Sequence, residues 1–216
     1  MVELGYAVLV VIAIATVVLI RLIQFRGWYH KALVHRHLDA HGPVIMMLEF
    51  YDGSQELEAR RQKTKDLYVA LSKKGKQPSI VLTAGQLHGE NEKISVRSEL
   101  WFLHNGISAS GVCTYGDPGA ADTFQEVRLG CQYAHEQHRD QCVYVVANLL
   151  QATQAFMICI REGIFPNVEL TPMLETSGTW AAGKLFHIIL TFFSPRGHNP
   201  ISWLQRRIRW HLSSKI

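Results

Sequence analysis

The chain has 216 residues, 48% of them hydrophobic and 19% charged, with a formal net charge of +4. That length holds one ordinary domain plus an anchor, and the composition excludes a disordered chain. So modest a charge gives no reason to expect a nucleic-acid partner. The four cysteines (Cys113, Cys131, Cys142, Cys159) lack C-x-x-C spacing, and the chain is long for a disulfide scaffold, so they read as free, buried thiols.

Residues 4–20 carry no charged side chain. Continued to residue 25, the run makes a helix of roughly 33 Å, enough to span a bilayer if Arg21 snorkels. A cleaved signal peptide would want a basic leading region and a small-residue cleavage site. Here Glu3 precedes the run and Arg21 and Arg26 follow it, so a retained anchor is expected. Arg21, Arg26, Lys31 and Arg36 all lie after the span, which places the folded part on the cytoplasmic or matrix side. Trp28 and Tyr29 suit the aromatic belt of a membrane interface.

Beyond Gly42-Pro43 the pattern predicts strands over 44–50, 79–84, 108–115, 142–146 and 167–170. Helices are predicted over 55–74, 93–105, from the cap at 122 or 123 to about 138, and, after a turn at 147–148, over 149–162. Ser54 and Asp122 or Thr123 are candidate N-caps, and Gly106 is a helix stop. Short buried strands alternating with amphipathic helices predict an α/β fold with a Rossmann-like parallel sheet flanked by helices, preceded by one transmembrane helix. The expected divisions are an anchor with its juxtamembrane segment over 1–40, the α/β domain over 41–175, and C-terminal amphipathic helices over 176–216. The segment 142–162 is central, because a strand runs straight into a helix and open α/β sheets keep ligand sites at such turns. Its helix should bury a face that includes Leu149, Leu150, Ala152, Phe156, Ile158 and Ile160.

Cys131, His135, His138 and Cys142 have the identities of metal ligands, but eleven helical residues stretch over roughly 16 Å and one ion cannot collect all four. The loop with Gln86, His88 and Glu90 lacks the glycine spacing of a nucleotide fingerprint, and no G-x-S-x-G occurs. No metal or other cofactor is expected.

The order of strands, glycine and helices resembles the SanA/YdcF/ElyC-like family of membrane-anchored α/β domains over about residues 44–171. The resemblance rests on LSKKGKQPSIVLTAG ending at Gly85, on Ser98-Glu99 and the LHNGI helix end, on Asp122-Thr123-Phe124-Gln125-Glu126 against an Asn-Thr-x-Glu-Asn motif, and on residues 146–155. It implies a ligand pocket built from Thr83, Gly85, Glu99, Asp122, Thr123, Asn148, Gln151 and Gln154. Gln151 and Gln154 stand where the family has His and Arg, so the imidazole base and the guanidinium anion anchor are both replaced by amides. The expectation is a vestigial pocket without catalytic residues, in a subunit of an inner-membrane complex, mitochondrial or bacterial. The alternative is a ligand-binding or enzymatic member acting on a small polar or nucleotide-like compound. The chain closes with an apolar helix over 178–193 and a helix over 200–212, whose Trp203 and Trp210, with Arg206 and Arg207, fit contact with lipid or another subunit.

Overall fold

The computed structural model describes residues 2–36, 42–49, 54–85, 93–116, 120, 122–174 and 178–193. Helix α1 (Val2–Val34) leads into five strands, β1 (Val44–Met47), β2 (Ser79–Leu82), β3 (Val112–Thr114), β4 (Val143–Ala147) and β5 (Pro166–Leu170). Helices α2 (Gln55–Lys73), α3 (Ile94–His104), α4 (Thr123–Glu136) and α5 (Leu149–Arg161) alternate with them, and α6 (Gly178–Phe193) follows β5. Among the described residues the strand pairings are all parallel, in the order β3-β2-β1-β4-β5.

The central strands are apolar on both faces because each face meets helices. Val44, Met46 and Leu48 point into a core with Phe124 and Val127 of α4 and Ala152, Ala155 and Ile158 of α5. Ile45 and Met47 point the other way, onto Leu57 and Leu71 of α2 and Phe102 of α3. Gly130 lets α4 approach β1 closely, since a Cβ there would stand 2.1 Å from Met46 Sδ. The helix starts follow their capping residues. Ser54, Asp122 and Asn148 accept hydrogen bonds from the amides of Leu57 (3.0 Å), Gln125 (2.9 Å) and Gln151 (3.0 Å). Gly106 ends α3 at φ +86°, a backbone state that suits glycine.

Several boundaries differ from the sequence reading. The strand expected over 44–50 pairs only to Met47, although the Leu48 amide still reaches Val146 O at 3.1 Å. The strand expected over 108–115 shrinks to Val112–Thr114, because Ala109–Gly111 forms a 3-10 turn. Small residues there give a sheet little to pack, and Gly111 sits under the Tyr68 hydroxyl, 2.3 Å from where a Cβ would be. β5 takes in Pro166, which needs no ladder donor at the start of an edge strand. Leu149, expected in the buried face of its helix, is 57% exposed, and that face instead includes Gln151 and Gln154.

α1 outlasts the expected span. Residues 10–34 are long and apolar enough to cross a membrane. The end of the helix also packs on the domain. Ala32 is buried, Tyr29 stacks edge-on to Phe165 at 5.3 Å, and the Arg161 guanidinium lies 5.2 Å from the ring centre of Trp28. α6 coincides with the apolar helix expected over 178–193. Trp203, Arg206, Arg207, Trp210 and the loop with His88 lie outside the described residues.

Candidate functional site

The strand order reverses between β1 and β4, so their carboxyl ends diverge and open the place where parallel sheets bind ligands. β1 delivers Glu49 to this edge, β2 delivers Thr83 and β4 delivers Asn148. The first turns of α2, α4 and α5 bring Glu56, Thr123, Glu126 and Gln151 to the same place. Arg60, fully buried on α2, organises it. Its Nη1 donates to Leu48 O (2.6 Å) and Glu49 O (3.3 Å), and its Nη2 donates to Glu56 Oε1 (3.1 Å) and Gln151 Oε1. Asn148 Nδ2 adds a second donor to Glu56 Oε1 at 2.6 Å.

From Gln151 the network continues outward. Its Nε2 donates to Thr123 Oγ1 (3.3 Å), which also accepts from Lys184 Nζ of α6 (2.7 Å). Lys184 is partly buried, and desolvation acts on its ammonium. On the β2 side, Glu126 Oε1 accepts the Glu49 amide (3.1 Å), Thr83 donates to Glu126 O (3.0 Å), and Glu49 Oε2 accepts the Ala84 amide (3.2 Å). Arg61 donates twice to the buried Ser98 hydroxyl, at 3.2 and 3.1 Å. Glu49 Oε1 is buried without a hydrogen bond of normal geometry.

The electrostatics follow from enclosure. Burial pushes the Glu49 carboxyl up to about 8, opposed by the Ser98 hydroxyl and reinforced by Glu126. Burial likewise lifts Glu126 to about 7, against the pull of the Glu49 amide, Lys184 and Arg60. Lys184 is drawn down to about 8 by desolvation, with Glu126 and Asp122 resisting. Burial lowers Arg60 as well, while Glu56 and Glu126 hold its charge in place. Taking charged groups out of water disfavours their ionised forms unless partners compensate. Four carboxyl groups (Glu49, Glu56, Asp122, Glu126) stand with three basic groups (Arg60, Arg61, Lys184).

Of the residues singled out from sequence, Thr83, Asp122, Thr123, Asn148 and Gln151 gather at this edge. Gly85 closes the exit of β2, its amide donating to Ala120 O at 2.7 Å. Glu99 stands apart, partly exposed and near Cys113 of β3, while its neighbour Ser98 is the one turned inward. Gln154 faces α6 and donates to Thr191 Oγ1 at 3.2 Å. Sequence reasoning did not select Glu49, Glu56, Arg60, Arg61 or Lys184. Two signals were present: a carboxylate ending an otherwise charge-free strand, and a Glu56–Arg60 pair at i, i+4 beside a helix start.

Among the described residues no group of three or more side chains is able to hold a metal, and His187 of α6 brings an imidazole beside Lys184 and Asp122, its pKa lowered by burial and by the Lys184 charge. Cys131 pairs with Cys159 at 3.7 Å, and His135 with Asp140 at 3.1 Å, rather than with one another. An open trough of about 580 Å³ lies elsewhere, on the outer side of α4 between Arg128, Gln132 and Glu162, and none of the cluster lines it. The arrangement can hold protons on Glu49 and Glu126 near neutral pH and can offer amide dipoles. Its strongest donors are already spent on the protein's own acceptors. No protein-family model matches the chain, and no curated protein or solved structure matches it.

Proposed function

We propose that this chain is a single-pass, membrane-anchored α/β domain, a degenerate relative of the SanA/YdcF/ElyC-like family, that serves as a catalytically silent accessory subunit of an inner-membrane assembly. The observation that carries the reading is the occupied ligand end of the sheet. Arg60 is consumed by Leu48, Glu56 and Gln151, and Thr123 by Gln151 and Lys184. An anion would have to displace those bonds to gain the same donors. The 3-2-1-4-5 strand order supports a Rossmann-like scaffold. The apolar α1 supports the anchor, and the basic residues after its charge-free run support a matrix or cytoplasmic domain. The membrane proposed is the mitochondrial inner membrane, with a bacterial inner membrane as the alternative. The test is native-gel and mass-spectrometric analysis after extraction in mild detergent. Recovery in a stoichiometric complex with other membrane subunits supports the proposal, and recovery as an isolated monomer with turnover of any substrate overturns it.

One observation favours a second reading, in which the site binds or processes a small polar or nucleotide-like ligand. Glu49, Glu126 and Lys184 are all poised to titrate near neutrality at a strand-end crevice, as functional groups often are. Calorimetry against nucleotides and phosphate esters separates the two, since micromolar binding by the unmodified chain favours the second.

A further inference from the structure

Helix α6 is amphipathic in the wrong sense for a helix facing water. Its inward side carries the polar groups Lys184, His187 and Thr191. Among the residues whose exposure is described, its outward side is Ala182, Gly183, Leu185, Phe186, Ile189 and Phe193, all without a polar side chain. Leu185, Phe186 and Ile189 are 52%, 49% and 52% exposed and Phe193 is 37% exposed, at helical spacing along one stripe. A surface helix of a water-soluble domain places those two sets the other way round, and a contiguous apolar face of this kind marks an interaction surface.

The neighbours of α6 say what covers the stripe. α6 packs on α5, where Arg161 Nη2 donates to Thr191 O at 2.7 Å. At the same end Phe192 meets Phe25 of α1, ring centres 6.3 Å apart. Phe25 lies one turn past Arg21, where the charge-free run of α1 ends, and Val10, Val11, Ile12, Ile14, Val17, Leu19 and Ile20 of that run are exposed. The Phe193 end of the stripe therefore lies beside α1, near the level where its exposed apolar run reaches its basic flank. Sixteen residues make about 24 Å of helix, too short to cross a hydrocarbon core of about 30 Å. A helix of that length, with one apolar face, lies along the boundary.

We propose that the outward stripe of α6 is buried in the headgroup and acyl boundary of the bilayer that α1 enters, so that the domain is seated on lipid by a second, in-plane contact. The contact rests on α1 spanning the bilayer, as proposed above. It also gives Lys184 a consequence, because the helix that docks on lipid is the one that closes the strand-end cluster.

The test uses the full chain, one copy per nanodisc, with Cys113→Ser to remove the half-buried thiol and the otherwise unmodified chain as labelling background. An environment-sensitive fluorophore is attached in turn to Phe186→Cys, Ile189→Cys, Ile12→Cys on α1 and Leu100→Cys on α3, the helix on the opposite face of the sheet. Emission at 186 and 189 is expected to shift to the blue and to be lost to shallow doxyl lipids, while the probe at 100 stays aqueous. Quenching at 12 but aqueous emission at 189 overturns the inference and leaves the anchor standing. Aqueous emission at both overturns both. A blue shift at 189 without doxyl quenching shows that protein, not lipid, covers the stripe, and overturns the inference as well.

Discussion

Arg60→Met should be among the most damaging single substitutions in the domain. The guanidinium is fully buried and serves four acceptors, Leu48 O, Glu49 O, Glu56 Oε1 and Gln151 Oε1. Removing it leaves the Glu56 carboxylate, itself with no exposed side-chain surface, in the interior without its cation. Breaking a buried ion pair from one side costs about 3–5 kcal/mol, because an uncompensated charge remains. In a protein of this size each kcal/mol moves the midpoint by about 2–4 °C, so the melt should fall by roughly 6–20 °C. The second arm adds Glu56→Gln, which keeps an amide oxygen for Asn148 Nδ2, now at 2.6 Å from Glu56, while deleting the stranded charge. The double variant should therefore be more stable than Arg60→Met alone. Near-UV circular dichroism of the chain in mild detergent, heated at one fixed rate, reads both. A loss under about 1 kcal/mol for Arg60→Met would place the substitution among ordinary surface changes. That result, or a double variant worse than the sum of the singles, would refute the claim that this ion pair organises the strand ends.

Stability should fall as pH rises from about 5 to 8. Glu49 and Glu126 have folded-state values raised to about 8 and about 7, so their contribution is present below the ordinary carboxylate value and lost as pH climbs through the raised ones. Lys184, lowered to about 8, acts in the opposite sense and restores stability only above that pH, so the minimum should lie near 8. Glu49→Gln should flatten the acid limb in a pH series of denaturant midpoints, and an unchanged slope would discount the burial of that carboxyl. Gly130→Ala drives a methyl to 2.1 Å from Met46 Sδ and should cost about 1–3 kcal/mol by overpacking, partly recovered by Met46→Val in the same melting assay. The pair Gln151→His with Gln154→Arg should leave calorimetric titrations with nucleotides and phosphate esters flat. Both side chains are enclosed, and Gln154 faces Thr191 rather than the strand ends. Binding gained by the pair would show that the two amides are what silences the crevice.

The sheet was legible because its strands are buried on both faces and its helices announce their caps. Val44 to Met47 and Val143 to Ala147 read as continuous apolar runs, and Ser54, Asp122 and Asn148 stand one residue before helices. Boundaries slipped where packing rather than propensity decides. Nothing in the run of Ser108 to Gly111 shows that Tyr68 will lie across it. The candidate site was half legible for a different reason. Thr83, Thr123, Asn148 and Gln151 were named through the motifs of the resemblance, and they are small or uncharged groups at strand ends and helix starts, where parallel sheets keep their ligand sites. Arg60 and Glu56 sit in a helix whose charges read as a solvated outer face, and only the neighbouring strand ends turn that turn of helix inward.

α6 shows the same limit in its sharpest form. Periodicity defines the axis along which a helix separates apolar from polar residues, and 178–193 has a clear one. The direction in which that axis points is not a property of the helix. It depends on which medium lies on each side, and the usual assumption is protein inside and water outside. Here the inside holds Thr123, Asp122 and Glu126, a polar strand-end cluster that draws Lys184 toward it. Once Lys184 is committed inward, the 3.6-residue repeat forces Leu185, Phe186 and Ile189 outward. An apolar stripe turned outward beside a bare apolar span is stable only if the outside is not water. The polar site and the lipid-facing surface are thus two sides of one geometric constraint, and a substitution such as Lys184→Leu, which removes the inward commitment, should loosen both the closure of the cluster and the seating of the helix.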